Sequence, residues 1–113
     1  MSPIRVAAVD DIGDIPLSVE IPGRDMQVAI VKIGDEIFAI NDECSHAKVA
    51  LSEGDVDQWD CTIECYLHGA TFDLRTGEPR SLPATAPVPV YECTVDDGQI
   101  FIDVDHPRNN QEN

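Results

Sequence analysis

Basic side chains are scarce in this chain: 7 Lys and Arg stand against 22 Asp and Glu, for a formal net charge of −15 over 113 residues. A surface of that sign repels phosphate groups, so nucleic acid and anionic membrane surfaces are not expected partners. No uninterrupted apolar run approaches the ~20 residues of a membrane span. The opening residues, MSPIRVAAVDD, hold too few apolar side chains for a signal peptide. The expected location is therefore the cytoplasm, where the 4 cysteines stay reduced. No segment sustains a 3.6-residue hydrophobic period, which argues against amphipathic helices. Internal repeats and low-complexity blocks are missing as well.

What is present reads as short strands. The apolar fraction of 42% is ordinary for a folded domain. Residues 4–9 read as a first strand, and residues 10–16, with Gly and Pro punctuation, as a loop holding at most one helical turn. Residues 17–21 alternate apolar and polar side chains, the period of a half-buried strand. Pro22-Gly23 marks a turn. Residues 26–33 alternate again, and Gly34-Asp35 closes a hairpin onto residues 36–40. Further on, Trp59, Cys61, Ile63 and Cys65 fall on one face of a strand, with Asp60, Thr62 and Glu64 on the other. Residues 70–74 form its return strand, with Thr76-Gly77 as a turn. Residues 79–89 hold four prolines and suit neither helix nor central strand. Residues 91–95 and 99–104 flank Asp97-Gly98, a type I′ hairpin signal. The fold class is all-β, one domain over residues 1–105 with a polar tail at 106–113.

Histidine is scarce too. Of 3 in the chain, 2 lie within three residues of a cysteine. Cys44-x-His46 and Cys65-x-x-His68 are two mixed ligand pairs, each joining a soft thiolate to a borderline imidazole. Cys44, His46, Cys65 and His68 are the candidate metal ligands. Two sulfurs and two nitrogens suit either a tetrahedral zinc or an iron–sulfur cluster. The common zinc finger groups its cysteines and its histidines separately. Here each pair is mixed, so one metal can take both thiolates and another both imidazoles, which is the Rieske arrangement.

On these residues the chain resembles the Rieske ferredoxins. The resemblance extends to Leu51-Ser52-Glu53-Gly54, to His68-Gly69, to Phe72-Asp73-Leu74-Arg75-Thr76-Gly77 and to the run Leu82-Pro83-Ala84-Thr85-Ala86-Pro87. It implies an antiparallel Rieske domain whose two hairpin loops, within about residues 42–87, hold one [2Fe–2S] cluster. Cys44 and Cys65 would bind the inner iron and His46 and His68 the outer one, with backbone N–H groups of residues 46–48 and 67–70 donating to the sulfurs. Neutral imidazoles in place of two thiolates make the site easier to reduce. Rieske centres accordingly lie at about −150 to +300 mV, against about −400 mV for plant-type ferredoxins.

The resemblance also predicts where in that range the centre lies. High-potential relatives place a Ser and a Tyr hydroxyl near the cluster, where this chain has Ala70 and Phe72. They bridge the two loops with a disulfide, where this chain has Val49 and Leu67. A low-potential centre without a loop disulfide is expected. The implied role is that of an electron carrier with no catalysis of its own. It would take one electron from an NAD(P)H-dependent flavoprotein reductase and pass it to a terminal non-haem iron oxygenase that hydroxylates aromatic rings. Leu67 and Pro83 would form an apolar docking rim, and the carrier is expected as a monomer. Two other functions fit the ligands. One is the small Rieske-type subunit of an assimilatory nitrite reductase. The other is a structural zinc module that binds proteins.

Several features have plainer readings. Cys61 and Cys93 read as buried structural thiols, a disulfide between them being poorly suited to the cytosol. Trp59 and Tyr91 read as core or half-buried packing. His106 reads as a solvated tail residue. Pro83 to Ala86 is expected to cover the cluster from a third side, while the prolines at 83, 87 and 89 equally serve to stiffen a long connection. Lys48 is a partner contact or a plain surface lysine. The acidic balance serves solubility or steering toward a basic partner.

Overall fold

The computed structural model describes residues 3–13, 15–21, 23–24, 26–43, 49–67, 69–82 and 86–104. Among the described residues ten strands follow one another: β1 (Ile4–Ala8), β2 (Leu17–Glu20), β3 (Gln27–Ile33), β4 (Glu36–Asn41), β5 (Val56–Asp57), β6 (Thr62–Glu64), β7 (Thr71–Asp73), β8 (Val90–Tyr91), β9 (Cys93–Asp96) and β10 (Gln99–Ile102). The only helical elements among the described residues are two 3-10 turns, Val9–Asp11 and Leu51–Glu53. The all-β expectation is borne out. The strands form three antiparallel sheets, ordered β1-β10-β9, β2-β3-β4-β8 and β5-β6-β7.

The middle sheet is apolar on both faces. From β3 and β4, Ala29, Val31, Phe38 and Ile40 pack with Ile63, Cys65 and Phe72 of the third sheet and its loop. Val28, Ile30 and Ala39 of the same strands pack with Ile100 and Ile102 of the first sheet. The alternation in residues 26–33 is therefore of two buried faces, where a half-buried strand was expected. Periodicity cannot tell those cases apart when both sets of side chains are apolar.

The region read as one strand over residues 91–95 is divided. Val90 pairs with Ile40 of β4, whereas Cys93 pairs with Ile102 of β10. The chain changes sheet at Glu92. Beyond it, Asp97 and Gly98 both take left-handed backbone, at φ 55° and 76°. That is what a two-residue I′ turn between Asp96 and Gln99 requires.

Trp59 departs from expectation. It is 97% exposed. Asp57 Oδ1 accepts from the backbone N–H groups of Trp59 at 2.9 Å and Asp60 at 3.1 Å. This side-chain turn reverses the chain before the strand starts, so the alternation does not extend back to residue 59. Cys61 ends the turn at φ 58°, and β6 begins at Thr62. Cys61 is a buried free thiol. Cys93 packs in the other apolar cluster, so no bridge joins the two. Tyr91 is 4% exposed, as expected of a packing residue. The tail, with His106, lies outside the described residues.

Candidate metal centre

Two loops and a third segment meet at the end of the third sheet. The first loop leaves β4 through Asp42 and Glu43. Its ends pair as an isolated bridge, Glu43 to Ala50. The Leu51 N–H then donates to the Asp42 carbonyl at 2.6 Å, closing the base of the loop. Leu51 is fully buried, with Val49 packed against the same cluster.

The second loop leaves β6 at Cys65. The Cys65 N–H donates to the Ala70 carbonyl at 2.6 Å, and the Gly69 N–H donates to the Cys65 carbonyl at 2.9 Å. Gly69, at φ 78°, supplies the left-handed step that so short a closure needs. Ala70 and Phe72 continue into β7, both with no exposed surface.

The third segment lies along β7. Pro79 bridges to Phe72, and the Arg80 N–H donates to the Thr71 carbonyl at 2.7 Å. Ser81 Oγ accepts from the Thr71 N–H at 3.0 Å, and Arg80 pairs with Asp73 at 3.1 Å. The run that begins at Leu82 therefore starts beside the second loop. The covering role expected of residues 83–86 falls largely on residues that are not described.

Of the four candidate ligands, Cys65 is described. Cys44, His46 and His68 lie outside the described residues, as do Lys48 and Pro83. Cys65 is a free thiol with no exposed surface, in one cluster with Leu51, Ala70 and Phe72. The roots of both loops thus converge on it. A soft donor in a dry setting fits an iron–sulfur centre. Among the described residues, no group of three His, Cys, Asp or Glu offers another metal site. No described helix is long and apolar enough to cross a membrane.

The Rieske [2Fe-2S] domain family matches residues 2–92. The chain belongs to this family. Its cofactor is one Rieske-type [2Fe–2S] cluster. The chain is 47% identical over 77 residues to the ferredoxin subunit of 3-phenylpropionate/cinnamic acid dioxygenase from Escherichia coli, a match covering 68% of this chain and 72% of that protein. The fold is similar to the ferredoxin of carbazole 1,9a-dioxygenase from Nocardioides aromaticivorans, with a TM-score of 0.84, 37% identity and coverage of 90% and 97% of the two chains. It is also similar to a chain in the solved complex of reduced oxygenase and oxidised ferredoxin of carbazole 1,9a-dioxygenase, with a TM-score of 0.80, 35% identity and coverage of 88% and 91%. A Rieske ferredoxin is an electron-transfer component, not a catalyst acting alone.

Sequence reasoning missed three features of this region. Asp42 is buried and joins the two sides of the first loop. Gly54 lies against the backbone of β6. Ser81 ties the third segment to β7. Ser52 and Gly54 were visible as part of a motif, but the carboxylate that Ser52 meets was not.

Proposed function

We propose that this chain is the one-electron carrier of a dioxygenase system. It takes electrons from an NAD(P)H-dependent flavoprotein reductase and delivers them to a terminal ring-hydroxylating oxygenase. Residues 1–105 act as one Rieske domain, with the cluster-binding part at about 42–87. Cys44, His46, Cys65 and His68 hold the cluster, which supplies the capacity to gain and lose one electron. The protein works in the cytoplasm as a monomer.

One observation carries the reading from cofactor to carrier. Cys65 is fully buried, while Leu67, two residues on, is 48% exposed and Leu82 is 77% exposed. The two exposed leucines lie on the loop that follows the dry donor and on the segment that Ser81 joins to that loop at the Gly69 carbonyl. A small rim of this kind supports brief, weak docking, which repeated electron exchange requires. The chain's net charge of −15 is suited to steering toward a basic partner.

The test begins with the purified protein. Two irons and two acid-labile sulfides per chain, a reduced-state EPR signal and a potential below about 0 mV are expected. Reduction by a dioxygenase reductase should slow as salt rises, because screening shortens the reach of surface charge. A colourless protein holding zinc overturns the reading. Co-purification with a large sirohaem subunit would move the chain to nitrite reduction.

A further inference from the structure

We propose that Asp42 is a positioning residue for the cluster. Its carboxylate ties together the two sides of the loop that carries Cys44 and His46, and its charge disfavours reduction of the centre. This rests on the carrier reading above.

Asp42 is 3% exposed, one of two buried polar residues in the described chain. Its backbone N–H donates to the Gln27 carbonyl at 3.0 Å, and its carbonyl accepts from the Leu51 N–H at 2.6 Å. Its side chain gathers three donors. Oδ1 accepts from the Ser52 N–H at 2.7 Å. Oδ2 accepts from Ser52 Oγ at 2.9 Å and from Ser18 Oγ at 2.7 Å. One residue therefore joins β2, β3 and the 3-10 turn that follows the loop. The Glu43–Ala50 bridge that closes the base of the loop lies directly beside this junction.

Packing alone does not call for a carboxylate here. A buried charge is expensive to desolvate, and a well-packed apolar group of the same shape is often as stabilising. Asn would also leave Ser18 and Ser52 satisfied, since a hydroxyl can accept as well as donate. What Asn cannot supply is the negative charge two residues before a cluster thiolate. A fixed negative charge makes an added electron less favourable at low local dielectric.

The two parts of the role separate in two variants of the holo protein. Asp42→Asn keeps the shape and removes the charge. It should release iron to a chelator within about twofold of the unsubstituted rate. It should also shift the reduction equilibrium about tenfold toward the reduced form, which is about 59 mV for one electron. Asp42→Ala should release iron at least about tenfold faster and speed exchange of the Leu51 and Ser52 amide protons. Asn in place of Ala at this position should restore slow release. As a control, Ile30→Val in the other apolar cluster should lower stability and leave potential and iron release unchanged.

An unchanged potential in Asp42→Asn overturns the role of the charge. An unchanged release rate in Asp42→Ala overturns the clamp. If Asp42→Ala does not fold, Ser18→Ala and Ser52→Ala each delete one donor, and each should speed release about threefold. Unchanged rates in both also overturn the clamp. A colourless unsubstituted protein defeats the carrier reading, and in that case amide exchange at Leu51 and Ser52 in Asp42→Ala still decides the clamp.

Discussion

Gly54 approaches Glu64 so closely that a Cβ on the glycine would sit 1.6 Å from the Glu64 carbonyl oxygen and 2.8 Å from its carbon. Both obstacles are backbone, and neither can rotate away. The contact brings the end of the first loop against the strand that delivers Cys65. The Glu64 N–H donates to the Asp55 carbonyl at 2.8 Å, so the two segments are also tied by a hydrogen bond. Gly54→Ala must push them apart. We expect a loss on the order of 3 kcal/mol, read as a lower denaturation midpoint, together with poor cluster retention. Full stability in Gly54→Ala would rule out this close approach.

Trp59 leads to the opposite expectation. It is the chain's 1 tryptophan, and 97% of its surface is open to water. Trp59→Ala should change stability by no more than about 0.5 kcal/mol. Acrylamide, which is neutral, should quench its fluorescence efficiently. Iodide should quench poorly at low salt, because Trp59 lies between Asp57 and Asp60 in the sequence of a chain of net charge −15. Equal quenching by both agents at low salt would mean that these carboxylates do not set the local field.

Chemistry that is local in sequence could be read without the structure. Asp97-Gly98 announces its turn because the left-handed backbone at both positions is a property of those two residues. Cys65 announces itself by its spacing from a histidine. Features that depend on distant partners could not be read. Trp59 looks like a strand residue until Asp57 is seen to cap the turn beneath it. Ala29 and Val31 look like the outer face of a strand until the third sheet is seen to cover them. Asp42 looks like one more surface acid, because its donors Ser18 and Ser52 lie 24 and 10 residues away. Gly54 carries no mark in the sequence of the strand it meets.

Alkaline conditions should weaken the fold. Burial pushes the Cys61 thiol above its ordinary value of 9.0; the Arg75 guanidinium opposes this, and the Asp73 and Glu36 carboxylates reinforce it. Burial likewise pushes the Tyr91 hydroxyl above 10.0, opposed by its hydrogen bond with Asn41 and by Arg24. Below pH 9.0 both groups are protonated whether the chain is folded or not. Above 9.0 the unfolded thiol ionises first, and above 10.0 the unfolded phenol follows. The unfolded state then binds fewer protons, so stability falls as pH rises toward the folded values. The slope approaches at most about 1.4 kcal/mol per pH unit for each group. Denaturant midpoints should be level up to about pH 8.5 and decline beyond it. Cys61→Ala should delay the onset to the Tyr91 range. A decline that starts equally early in Cys61→Ala would assign it to other groups.

The last prediction concerns Leu67 and Leu82, the proposed docking rim. Leu82 and Leu67 are 77% and 48% exposed, so neither contributes much to the core. Leu82→Ala and Leu67→Ala, which add neither charge nor an O–H group, should each leave stability within about 0.5 kcal/mol. If partners dock here, each loses apolar contact at the point of electron exit. A fully buried leucine is worth about 1.5–3 kcal/mol, and a half-covered one less. The second-order rate of electron transfer to an oxygenase should therefore fall about three- to tenfold for each change. The potential should stay where it is, because neither side chain brings charge to the cluster. Stopped-flow reduction at fixed salt measures the rate, and a redox titration of the same samples measures the potential. A rate that falls only in step with a shifted potential would place the effect at the cluster and remove the rim as a docking surface.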